Sequence, residues 1–403
     1  MDKSLSELYR RELYRALLQP QTPLSGAAAP PRPATLSGLM STPPAPSVGS
    51  LWSLGMLANP PHPVGLLSAL ARSPEPPRAN TLLGLSLFAP PSPAARLAAA
   101  PTSYPWPHKW IAVRPRFTEF HKNLALTPLQ SADGMKKRAG VVSCLNNAYY
   151  GTSSETDNSF FVGSWAKNTA TRPPRDVDVY FLLPPQVYNR FEQRLWNRQS
   201  ALLQEVREQL ATTYPDTDMS GDGQVVVVKF GTYCVEVVPA FMLTTPGRYW
   251  ICNTSDGGSY KETAPWVEVN SLQAADLVNA GNLRPLIRML KAWQAWCSVE
   301  IKSFHLELLA TEFITQSPWH LKDFFYFDWI ARDFFEFLCR RANGYVVVPG
   351  THEVMALGDA WHSRAQSAHQ RAVKACEYER DNLIEAAGDE WQKIFGLNVP
   401  RSV

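Results

Sequence analysis

The stretch GSWAKNTATRPPRDVDVYF, residues 163–181, decides how this chain is read. It opens on Gly163-Ser164 and closes on a run of strong β-propensity in which Val177 separates Asp176 from Asp178. Residues i and i+2 of a strand face the same way. Asp176 and Asp178 therefore project together, while Val177 and Val179 pack on the other side. Two carboxylates this close repel unless cations lie between them, and hard divalent ions such as Mg²⁺ take oxygen ligands. An Asp-x-Asp alone is a weak signal, because exposed strand ends often carry such pairs.

The neighbours sharpen it. NSFFVGS (158–164) reads as a short strand running into a turn, and a Gly-Ser turn can aim backbone N–H groups and a hydroxyl at an anion. Downstream, QVVVVKFGTYCVEVVPAF (224–241) reads as two strands around a tight turn near Gly231. Glu236 sits in its very apolar second strand, where an acid is expensive unless paired or bound to metal. If that strand lies beside DVDVYF, three carboxylates converge next to the Gly-Ser turn. Such a trio suits two-metal phosphoryl transfer, with one ion readying an attacking hydroxyl and the other holding a triphosphate.

The rest of the chain divides by composition. About twenty of the 34 prolines precede residue 108, where PPRP, PPAP, PPHP, PEPP and PPSP alternate with short apolar clusters. Proline at that density prevents long helices and central strands. Residues 1–107 are expected to be a disordered Pro/Ala-rich segment, with a short amphipathic helix at SLSELYRRELYRALL; an array of docking motifs is the sharper alternative. Residues 108–265 mix helix and strand patterns. They include one long helix over QVYNRFEQRLWNRQSALLQEVREQLATTYP, and residues 266–403 are helical almost throughout. The expected fold is α+β, a core followed by a C-terminal helical lobe.

Bulk numbers exclude several classes. Over 403 residues, 45% hydrophobic content permits a real core, and a net charge of +3 suits an enzyme of phosphorylated substrates better than a protein coating long nucleic acid. The six cysteines form no C-x-x-C pair and no zinc-spaced cluster, which favours a reduced, cytoplasmic setting. No apolar run reaches the ~18 residues of a membrane span, and no signal-peptide layout opens the chain.

With those residues in view, the chain resembles a known family. GSWAKNTATRPPRDVDVYF followed by VEVVPAF is similar to the signature of the bacterial cGAS/DncV-like nucleotidyltransferases, the SMODS-type second-messenger synthetases. These belong to the polymerase-β-like superfamily, with animal cyclic GMP-AMP synthase and oligoadenylate synthetase as relatives. The likeness runs from about Phe117 to Pro400: NLALTPLQSADGMKKRAGVVSCLN resembles the family's helical spine, LIRMLKAWQAW and IKSFHLELL its central helices, and ACEYERDNLIEAAGDEWQKIFG its closing helix.

The resemblance implies a polymerase-β-like core with a mixed, mostly antiparallel twisted sheet. It implies that Asp176 and Asp178 bind two Mg²⁺ ions, with Mn²⁺ as a substitute, and that Glu236 is the third ligand, in place of the commoner aspartate. Gly163 and Ser164 would hold the donor phosphates, with Trp165 as packing. Lys291 would reach the triphosphate, Ser303 would contact phosphate, and Phe304 would stack on a base. The ordinary alternatives are a solvated helix face for Lys291 and plain core for Phe304. Lys167 and Arg172 are either phosphate contacts or solvated turn residues, and His305 is structural.

The implied reaction joins NTPs into cyclic di- or oligonucleotides with release of pyrophosphate. The implied setting is bacterial antiphage (CBASS-type) signalling through a downstream cyclic-nucleotide-activated effector. Regulation would come through a protein partner on residues 1–107, since no zinc cluster supports sensing of double-stranded DNA. Two alternatives stand beside this: transfer of NMP onto RNA or protein, and an inactive nucleotide-binding scaffold.

Overall fold

A computed structural model describes residues 109–403. The expectations for residues 1–107 lie outside the described residues. From Val113 the alternation of apolar and charged residues winds helix α1 (Val113–Leu124), which buries Phe117, Phe120 and Leu124. Thr127 and Gln130 then form a reciprocal capping box, and Pro128 occupies the first turn of α2 (Pro128–Tyr150). Strand β1 (Ser159–Phe161) runs into a single helical turn, α3 (Gly163–Ala166), and β2 (Asp176–Leu182) follows.

The single long helix expected after β2 is two helices, α4 (Pro185–Glu192) and α5 (Arg198–Thr213). The break falls where Leu195 and Trp196 are exposed rather than part of an inward stripe, and Asn197 takes a left-handed φ of 51°. Beyond lie β3 (Asp218–Asp222), β4 (Val225–Lys229), β5 (Cys234–Met242), β6 (Tyr249–Asn253) and β7 (Ser259–Thr263). They build a seven-stranded sheet in the order β1-β2-β5-β4-β3, with β6 on β5 and β7 on β6. Only β2 and β5 pair in parallel; every other pairing in the sheet is antiparallel.

Strand period decides which side chains reach the site. Val177, Val179 and Phe181 of β2 and Val235 and Val237 of β5 face one way. There they pack with Val141 and Leu145 of α2 and Leu202, Val206 and Leu210 of α5. The opposite face begins with the acids and becomes apolar further along, where Tyr180, Val238 and Ala240 pack with Phe160 and Tyr249.

The C-terminal part holds α6 (Pro265–Val278), α7 (Leu283–Trp296), α8 (Ser303–Gln316) and α9 (Phe327–Cys339). A small hairpin follows, β8 (Tyr345–Val347) with β9 (Val354–Ala356), then α10 (His362–Arg380) and α11 (Ile384–Phe395). The hairpin is an exception to the mostly helical expectation; its YVVVPG run is too β-branched for a helix and turns at Gly350, φ 88°. Helix α1 packs its Phe117 and Phe120 into this helical cluster, beside Trp391 and Phe395 of α11, rather than onto the sheet. The buried Arg116 locks that arrangement: it meets Glu379 at 2.7 Å and donates to the carbonyls of Ile384 and Arg401.

Candidate active site

Parallel pairing of β2 with β5 sets Asp178 opposite Glu236 and Asp176 opposite Cys234. Partnered residues of neighbouring strands share a face, so Asp176, Asp178 and Glu236 stand on the side away from α2 and α5. Asp176 is exposed and Asp178 only partly so. Burial, and after it the charge of Asp176, pushes the Asp178 carboxyl up to about 6, against the pull of Lys291, the Ser164 N–H and Lys167. Asp176 is raised as well, by burial.

The Gly-Ser turn is built around that carboxylate. The Ser164 backbone N–H is hydrogen-bonded to it. Gly163 has a φ of +55°, and a Cβ there would lie 2.8 Å from the Asp178 Cγ. Glycine is needed twice at this point, for the left-handed backbone and for the space. Trp165, as expected of packing, lies parallel to the Phe161 ring and donates its indole N–H to the Asp176 carbonyl at 2.9 Å.

A cavity of about 240 Å³ opens here, walled by Gly163, Ser164, Asp176 and Asp178 on the sheet side and by Lys291, Ser303, Phe304 and Glu307 on the helical side. Most of the sequence-derived residues thus converge on one cavity; Glu236 shares the acids' sheet face without lining it, and Arg172 lies outside the lining. Among the described residues, no three His, Cys, Asp or Glu side chains are gathered into a metal cage. The convergence expected of Glu236 is therefore one of backbone register, not of a closed three-ligand set: the Asp178 carboxylate lies against Gly163 and Ser164. By donor chemistry, the paired oxygens of Asp176 and Asp178 fit a hard divalent ion, whose charge would offset both the burial of the Asp178 carboxylate and its repulsion from Asp176.

The cations divide by what they already hold. Lys291 Nζ donates to the Thr169 carbonyl at 3.1 Å and to its hydroxyl at 3.2 Å; burial lowers the ammonium to about 8. It is not a solvated helix face. Lys167 is 3% exposed and bonded to Glu307 at 2.5 Å and Glu268 at 3.0 Å. Burial alone would lower its pKa, but the two glutamates outweigh it and hold the ammonium above its usual value. Its Nζ also lies 4.6 Å from the centre of the Phe304 ring. Arg172 turns away from the acids and donates to the Asn123 carbonyl at 2.9 and 2.8 Å, at the end of α1. Neither Lys167 nor Arg172 is a solvated turn residue. Ser303 Oγ donates to the Gln294 side chain at 2.6 Å. His305 is buried, and burial lowers its pKa, in keeping with a structural role.

Sequence reasoning missed Glu268 and Glu307, the anchors of Lys167, and also Arg284 and Arg288, which join Lys291 in holding the turn. Both signals are legible once sought. Glu307 follows Ser303 and Phe304 by four and three residues on one helix face, and Arg284, Arg288 and Lys291 are spaced i, i+4, i+7 on α7.

Residues 111–275 match the sequence profile of the Second Messenger Oligonucleotide or Dinucleotide Synthetase domain. This stretch of the chain is similar to that synthetase domain. Solved structures share its fold at low identity. The Escherichia coli MS115-1 CdnC, in its complex with HORMA-deltaN, superposes with a TM-score of 0.54 at 17% identity, covering 71% of this chain and 98% of that one. The 3′-deoxy GTP-bound Escherichia coli DncV gives 0.54 at 12%, covering 70% and 97%. Bradyrhizobium diazoefficiens CdnG, in complex with GTP, gives 0.53 at 12%, covering 71% and 96%. No curated protein matches by sequence. Among the described residues, no helix is long and apolar enough to cross a membrane.

Proposed function

We propose that the chain condenses NTPs, with release of pyrophosphate, into a cyclic di- or oligonucleotide that activates a downstream effector in bacterial antiphage defence. The observation that carries this reading is the single cavity bounded by Gly163-Ser164, the paired Asp176 and Asp178, and the Lys291–Ser303–Phe304 wall. Two structures sharing the fold are recorded with ATP and with GTP, which supports NTPs as the substrate class.

In this reading Asp176 and Asp178 hold divalent metal, with Glu236 one strand away as the third carboxylate. When bound, the metal supplies charge to offset the developing negative charge of phosphoryl transfer and lowers the pKa of an acceptor hydroxyl. The chain's own groups do the rest. The backbone and hydroxyl of Ser164 orient the donor phosphates, and Gly163 leaves room for the phosphate and for Asp178 together. Lys291 can exchange Thr169 for a triphosphate oxygen without moving its helix, since both contacts need only the tip of a flexible stem. Lys167 occupies one face of Phe304, leaving the other face for a base.

Full-length protein incubated with labelled NTPs and Mg²⁺ or Mn²⁺ should yield pyrophosphate and a small phosphatase-resistant product, identified by mass spectrometry. Label on a macromolecule, or no turnover, would overturn this assignment.

A further inference from the structure

Between the Gly-Ser turn and β2 the chain makes a tight bend whose consecutive carbonyls are each taken by a cation from α7. Arg284 Nε donates to the Lys167 carbonyl at 2.9 Å, Arg288 Nη2 to the Asn168 carbonyl at 2.8 Å, and Lys291 Nζ to the Thr169 carbonyl at 3.1 Å. The bend is itself bonded back to the turn, because the N–H groups of Lys167 and Thr169 donate to the carbonyls of Gly163 and Ser164 at 3.1 and 2.8 Å. A stripe of one lobe helix therefore sets where the turn lies relative to Ser303 and Phe304.

The three cations are not equivalent. Arg284 is also ion-paired to Asp276, so its burial is compensated electrostatically. Lys291 lines the cavity. Arg288 does neither: it makes no salt bridge among the described residues, is not part of the cavity wall, and its buried Nε has no hydrogen-bond partner. Arg288 is only half-buried, but burying its Nε without an acceptor is costly, and that cost needs an offsetting gain. What Arg288 gains is Asn168. It donates to the main-chain oxygen of Asn168 and, at 3.3 Å, to its side-chain Oδ1, and Asn168 is the bend's left-handed residue, φ 54°. Its other contact is His121 Nε2 of α1 at 3.4 Å.

We infer that Arg288 is a positioning residue for the nucleotide site: by holding both oxygens of Asn168 it fixes the bend that sets Gly163-Ser164 against the Ser303–Phe304 wall. This rests on the proposed role of that turn in holding phosphate. Arg284 secures the far end of the bend, and Lys291 is left as the one clasp that can release toward substrate.

The test compares full-length wild type, Arg288→Gln, Arg288→Lys and Asn168→Gly. In the absence of nucleotide, amide exchange over residues 164–170 should quicken by about tenfold in Arg288→Gln, while amides of β2 and β5 keep wild-type protection. Asn168→Gly keeps the backbone freedom but loses Oδ1, and should show a smaller rise over the same amides. With NTP and Mg²⁺, Arg288→Gln should raise KM by about tenfold and lower kcat by no more than about threefold, with Arg288→Lys recovering part of the KM. Unchanged exchange over 164–170, or exchange raised evenly through the sheet, overturns the inference. Wild type that turns over no NTP sinks the proposed function instead and leaves the nucleotide-free exchange comparison to decide this one.

Discussion

Gly163 lies so close against the Asp178 carboxylate that no side chain can be placed between them. One residue thus controls both the path of the turn and the position of an acid on the next strand. Gly163→Ala forces alanine into a left-handed conformation, at about 1–2 kcal/mol, and drives its methyl into the carboxylate. Displacing a reacting group by about 1 Å costs on the order of 10²-fold in rate. The expected outcome is a Tm lower by several degrees and turnover near a hundredth of wild type. Full activity in Gly163→Ala would show that Asp178 is not held by this contact.

The acid pair makes a prediction of opposite signs. Burial, and after it repulsion from Asp176, raises the Asp178 carboxyl to about 6, so at neutral pH its ionised form destabilises the metal-free fold. Asp178→Asn should therefore match or exceed the wild-type Tm without metal, while turnover falls by at least about 10³-fold. Mg²⁺ in the millimolar range should raise the wild-type Tm and leave Asp176→Asn/Asp178→Asn unmoved. Glu236→Gln should weaken the Mg²⁺-induced Tm rise if Glu236 is the third ligand. An undiminished rise in Glu236→Gln would remove it from that role.

Lys167 offers a stability prediction distinct from catalysis. Its ammonium lies between Glu307 and Glu268, and its side chain and that of Glu307 are 3% and 8% exposed. Lys167→Met leaves two carboxylates without their cation, and breaking a buried pair by removing one partner costs about 3–5 kcal/mol. The double variant Lys167→Met/Glu307→Leu should recover a good part of that loss in urea unfolding. A double variant no more stable than the single one would show that Glu307 is not the group left stranded.

The motif is legible for a simple reason: period-two alternation puts Asp176 and Asp178 on one face, while the convergence of Glu236 with them depends on its strand lying beside theirs, which the parallel pairing of β2 with β5 supplies. The tight turn between β4 and β5 was equally readable, because glycine at 231 sits between two β-branched runs. What alternation cannot carry is distance along a side chain. Glu236 lies opposite Asp178 on the acids' face, yet no three-donor cage forms among the described residues. Lys167 and Arg172 were ambiguous because a cation in a turn reads the same whether solvated or buried. Only tertiary contact with Glu307, Glu268 and the end of α1 separates the two. The long helix after β2 failed for a local reason, since helical period continues through Leu195 and Trp196 although both point to solvent.

The last prediction concerns pH. Asp328, in the first turn of α9, is 1% exposed, and burial pushes its carboxyl up to about 7. The neighbouring Glu379 charge adds to the rise, and the Trp329 backbone N–H opposes it. Unfolded, the same group would titrate near its ordinary 3.8. Below that value both states are protonated and the contribution to stability is complete. As pH rises, the unfolded chain releases its proton while the folded one retains it, so stability is lost from about pH 4 to about pH 7, by on the order of 4 kcal/mol in all. Asp328→Asn has no such proton to lose. Subtracting its urea unfolding free energy from that of wild type across pH 4.5–8 cancels the other titrating groups, and the difference should fall steadily and then level off above pH 7. A flat difference would mean that Asp328 ionises in the folded protein as readily as in water, and that this part of the helical core is wetter than its burial indicates.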